Sequence, residues 1–135
     1  YALGKSGERF AVRNSGAIAV TEGAGDHCCE YMTGGKIVIL GSTGRNIGAG
    51  MTGGVAFILD EKNDLEQKVN KEIVKIFDIT TKKQERILLD IIDDYHDKTN
   101  SPKASNILKD WNHFKNLFKV IVPPSEEEML GLKTL

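Results

Sequence analysis

A chain of 135 residues is long enough for one domain with its own core and too short for a multi-cofactor enzyme. Its 18 basic and 19 acidic residues leave a net charge of −1, so there is no basic field to draw nucleic acid or an anionic membrane surface. The sequence has no signal-like apolar run and no stretch long enough to span a bilayer. It opens at Tyr1 without Met, and Cys28 and Cys29 are its only cysteines, so a soluble segment of a longer protein without a disulfide framework is expected.

Thirteen of the fourteen glycines fall within residues 1–60, and composition changes near Asp60. In that first part three frames share one register: Gly7 to Gly16, Gly25 to Gly34 and Gly44 to Gly53, each with glycine at both ends. A short apolar run follows each closing glycine: Ala17–Val20, Gly35–Leu40 and Gly54–Leu59, strands by composition. Met-Thr-Gly-Gly recurs at Met32 and Met51, 19 residues apart, and the weaker match Asn14-Ser-Gly-Ala stands 18 residues before Met32. Glycine suits a corner where φ is positive or where stacked backbones leave no room for Cβ. The structural corners read from the pattern are Gly7, Gly16, Gly25, Gly34, Gly35, Gly44, Gly53 and Gly54, with Gly34 and Gly53 as equivalent strained positions. Strands alternating with glycine corners predict a mainly β fold with an α tail. Its expected form is a right-handed parallel β-helix whose coils bury their apolar faces on one another, with more coils preceding Tyr1.

After Asp60 the period changes. Ile87, Leu88, Ile91, Ile92 and Tyr95 recur at three- and four-residue steps, which places them on one side of an amphipathic helix with Asp90, Asp93 and Asp94 toward water. Ser101-Pro102 supplies an N-cap and a first-turn proline for a second helix with the apolar stripe Ala104, Ile107, Leu108, Trp111 and Phe114. Phe118–Val122 reads as a short strand or extended segment ended by Pro123-Pro124. The domain reading is residues 1–60 as the C-terminal portion of a glycine-repeat β-helix and 61–135 as a helical tail packing on it.

Several residue groups suggest chemistry and are better read as structure. Gly48-Ala-Gly-Met-Thr-Gly53 satisfies G-x-G-x-x-G, but a dinucleotide site needs that motif to follow a strand and open a helix, whereas this one runs into the strand Val55–Leu59. Asp26, His27, Cys28 and Cys29 are all metal-ligand types. In a strand Cys28 would face away from its neighbours, and buried Cys as a small apolar filler fits better. Glu8, Arg9, Arg13, Glu22, Asp26, Glu30 and Arg45 surround the glycine corners, where such charges more often satisfy turn backbone or pair across neighbouring coils than bind an anion. His96 and His113 read as solvated or capping residues, and Trp111 with Phe114 as core or as an anchor to another domain. No catalytic, cofactor-binding or metal-binding residue is assigned.

Gly7-Glu-Arg-Phe-Ala-Val-Arg-Asn-Ser-Gly-Ala17, Gly25-Asp-His27, Cys29-Glu-Tyr-Met-Thr-Gly-Gly35 and Gly44-Arg-Asn46 resemble the C-terminal glycine-repeat (GXGXG) domain of the glutamate synthase large chain. In the tail, Val69–Lys75, Leu108–Trp111 and Val122–Glu127 resemble the ferredoxin-dependent enzymes of cyanobacteria and plastids. One departure is Cys28, where the family often has glycine. The resemblance implies an oxidoreductase that makes two glutamates from glutamine and 2-oxoglutarate with reduced ferredoxin, or NADPH, as donor. It further implies FMN and a 3Fe–4S cluster held elsewhere, with an amidotransferase domain and an FMN-carrying synthase domain of the same chain as partners. This segment would be structural, with no catalytic residue of its own, in the bacterial cytoplasm or the plastid stroma. The alternative is a free-standing β-helical interaction subunit of a multi-subunit oxidoreductase, such as a split glutamate synthase or a formylmethanofuran dehydrogenase subunit.

Overall fold

The computed structural model describes residues 15–23, 25, 33–41, 43–45, 47–48, 51, 53–62, 64–69, 74–79 and 82–123. The three apolar runs of the repeats form β1 (Ser15–Thr21), β2 (Thr33–Ile39) and β3 (Gly53–Leu59). They lie side by side and parallel, Ile18 opposite Lys36 and Lys36 opposite Val55, offsets of 18 and 19 residues that equal the repeat spacing in the sequence. A register shift interrupts each ladder where the glycine pair enters, between Ser15 and Ile18 and between Thr33 and Lys36.

Beyond β3 the architecture departs from the expected β-helix. β4 (Lys75–Asp78) and β5 (Phe118–Val122) come from the tail, and β5 pairs antiparallel with β3, Ala56 opposite Ile121 and Leu59 opposite Phe118. β4 in turn pairs antiparallel with β5. The described strands therefore make one mixed five-stranded sheet of order β1-β2-β3-β5-β4, not a right-handed parallel solenoid. The physical reason is the free edge of β3. Its N–H and C=O groups need partners, and the apolar Phe-Lys-Val-Ile-Val run supplies them by returning along that edge. The reading of two helices is also corrected to three: α1 (Lys82–Thr99), α2 (Pro102–Lys109) and α3 (Trp111–Phe114). The second expected stripe is divided at Asp110, whose φ of −123° and ψ of 47° leave helical geometry before the chain turns again. No helix among the described residues is long and apolar enough to cross a membrane.

Both faces of the sheet are covered, which is why every residue of β3 is buried. On one face Val20, Val38, Leu40, Val55, Phe57, Leu59, Phe118, Val120 and Val122 pack with Leu88, Ile91, Ile92 and Tyr95 of α1 and with Ala104 and Ile107 of α2. Alternate residues Ile37, Ile39, Ala56, Ile58 and Ile121 face the other way, onto Ile47, Met51, Leu65, Val69 and Val74. That second cover is tied down by the Ile47 amide donating to the Lys68 carbonyl at 2.9 Å, beside a parallel bridge between Ile47 and Val69. α1 owes its placement to the apolar stripe read in the sequence, of which Leu88, Ile91, Ile92 and Tyr95 are buried and Ile87 is partly so.

Candidate functional site

The ends of the parallel strands converge on one cleft. Glu22 directly follows β1, Gly41 lies just past β2 and Asp60 directly follows β3, and together with Thr43, Asp64, Leu65, Lys68 and Lys103 they line a cleft of about 470 Å³. A parallel sheet in register carries equivalent strand ends to one side of the molecule. That register is the reason residues this far apart in sequence meet.

Each acidic group there has a partner within the chain. Asp60 is 8 % exposed, and its carboxylate accepts from the amides of Asp64 (3.1 Å) and Leu65 (3.4 Å), closing the turn that opens a 3₁₀ segment at Leu65–Gln67. Its own amide donates to the Leu117 carbonyl at 2.8 Å, which joins the end of β3 to the start of β5. The Lys68 ammonium donates to the Thr43 carbonyl at 2.9 Å and pairs with Asp64 at 3.3 Å, while the Lys103 ammonium pairs with Glu61 at 2.7 Å. Gly41 completes the wall, and a Cβ there would stand 2.1 Å from the Glu22 carbonyl oxygen.

Behind the cleft Ser101 links the two halves of the chain. Its hydroxyl accepts from the Ala104 amide at 3.2 Å, capping α2, and donates to the Glu22 carboxylate. The Tyr95 phenol sits beside them. Burial, and after it the Glu22 carboxylate, holds its pKa above the ordinary value, while hydrogen bonds with Ser101 and Thr99 pull the other way. Chemically the arrangement is a clasp: it satisfies strand ends and fixes α2 against them.

Of the glycines singled out in the sequence, Gly16 lies in β1, Gly34 and Gly35 in β2, and Gly53 and Gly54 in β3. Gly44 donates its amide to the Gly25 carbonyl at 3.3 Å, so those two corners are in contact. The strain expected at Gly34 and Gly53 stands one residue further on, since Gly35 has φ of 90° and Gly54 of 85°. Gly7 lies outside the described residues, as do Glu8, Arg9, Arg13, Asp26, His27, Cys28, Cys29 and Glu30. Gly48, the first glycine of the nucleotide-like motif, has φ of 77° and starts a turn in which the Met51 amide donates to its carbonyl at 3.0 Å. The motif then enters β3. Arg45 is exposed, His96 is half-buried, and His113 is an exposed residue with its ring edge-on to Phe114. Trp111 packs on Phe118 and donates its indole N–H to Glu85 at 2.6 Å, with Phe114 partly buried against the same core. Of the charged residues picked out around the corners, Glu22 reaches the cleft. Asp60, Lys68, Lys103 and the contact between Ser101 and Glu22 carry no local sequence signal. Gly41 could have been suspected as a glycine directly after an apolar run.

The groups implied by the family resemblance do not fit these residues. Four carboxylates, Glu22, Asp60, Glu61 and Asp64, line the cleft with Lys68 and Lys103 already paired to two of them, a poor setting for the phosphate of a flavin. Among the described residues no group of three His, Cys, Asp or Glu side chains is placed to hold a metal ion.

Comparison with known proteins identifies the relatives. The profile of the family described as "GXGXG motif" matches residues 1–124. The ferredoxin-dependent glutamate synthase of Spinacia oleracea, a chloroplastic protein, is 59 % identical over 128 residues, which are 95 % of this chain and 8 % of the relative. Ferredoxin-dependent glutamate synthase 1 of Arabidopsis thaliana and ferredoxin-dependent glutamate synthase 2 of Synechocystis are each 56 % identical over the same shares. The chain thus spans about one twelfth of the length of these relatives.

Proposed function

Because the chain belongs to the GXGXG motif family, we propose that it is a structural segment of a ferredoxin-dependent glutamate synthase. The observation that carries this reading is 59 % identity sustained over 95 % of the chain, across the repeats and the tail alike. Internal use of the cleft charges supports a scaffold role, since Asp60, Asp64, Lys68, Lys103 and Glu22 are engaged in closing the fold. In this reading the whole enzyme makes two glutamates from glutamine and 2-oxoglutarate. Its electrons come from reduced ferredoxin, and FMN and a 3Fe–4S cluster are held by other parts of the polypeptide. The segment supports the amidotransferase and synthase domains. Relatives from a chloroplast and a cyanobacterium favour ferredoxin over NADPH as donor, and the plastid stroma or a bacterial cytoplasm as the place of action.

The test is the mass and activity of the native polypeptide that carries this sequence, isolated with an antibody to α1. Since 128 residues are 8 % of the spinach relative, a chain of about 1,600 residues is expected. That polypeptide should form glutamate from glutamine and 2-oxoglutarate when supplied with reduced ferredoxin. A native chain of 14.9 kDa, or a long one inactive with ferredoxin, would overturn the proposal.

A further inference from the structure

We draw no further inference here: the strongest candidate, the edge of β1 with the exposed Ile18, outermost among the described strands of the sheet, is an apolar strand edge for which nothing in the structure shows what covers it.

Discussion

Replacing Ser101 by Ala tests whether the clasp couples the repeat strands to the tail. The hydroxyl has partners in both halves of the chain, the Ala104 amide and the Tyr95 phenol in the tail and the Glu22 carboxylate after β1. Loss of an N-cap costs about 1 kcal/mol, and loss of a hydrogen bond to a partly buried carboxylate about 1–2 kcal/mol more. Ser101→Ala should therefore destabilise by about 2–3 kcal/mol, roughly 10 °C in melting temperature for a domain of this size. In a Glu22→Ala background the bond to the carboxylate is already lost, so the same substitution should cost about 1–2 kcal/mol less, which is the coupling the cycle should show. Urea unfolding followed by the fluorescence of Trp111, the single tryptophan, reads this directly, because that ring packs on Phe118 of β5. Additivity of the two substitutions within about 0.3 kcal/mol would refute the clasp and reduce Ser101 to a helix cap.

Gly41→Ala should cost about 2–3 kcal/mol, the upper part of the overpacking range, because the new Cβ meets a backbone oxygen 2.1 Å away. The ends of β1 and β2 must then part at the Leu40 amide to Thr21 carbonyl bond of 2.9 Å, and a melting temperature within about 2 °C of the parent would contradict the close approach. Gly54→Ala places a side chain at φ of 85° and should lower stability by about 1–2 kcal/mol, read as a shift in the urea midpoint; an unchanged midpoint would show that the backbone relaxes freely there. The Tyr95 phenol titrates above its ordinary 10.0 in the fold, so above pH 10 the unfolded chain loses this proton first and stability falls as pH rises. The stability advantage of the parent over Tyr95→Phe should shrink between pH 9 and pH 11, and a constant difference would place the phenol in water.

How much was legible divides along contact distance. The repeats announced β1, β2 and β3, and the 18- and 19-residue spacings of the sequence are the pairing offsets of the sheet, because parallel strands of equal units settle in equivalent register. The stripe from Ile87 to Tyr95 marked α1, and Ser101-Pro102 marked the start of α2. What escaped was partnership. Lys75–Asp78 is four residues long with charged, exposed ends, so β4 has neither alternation nor an apolar run to betray it. Glycine corners and strands are also what a coil would show locally, and only the antiparallel pairing of β3 with β5, set by residues some sixty positions apart, separates an open mixed sheet from a solenoid. The cleft escaped for the same reason. Ser101 and Glu22 are 79 residues apart, and neither carries a mark of the other.

The insertion of β5 also explains why similarity to the relatives does not stop where the glycines do. If residues past Asp60 merely lay on a finished repeat domain, their sequence would be held only by a surface contact. Instead Phe118, Val120 and Val122 enter the same core as Val38, Phe57 and Leu59, and Ile121 enters the opposite one, so the tail supplies one of the strands that bury β3. Each such side chain contributes about 1.5–3 kcal/mol on burial, more than the marginal stability of a small domain can spare. The family profile matches residues 1–124 and so takes in β5 as well as the repeats. Within the matched residues, repeats and tail share a single sheet.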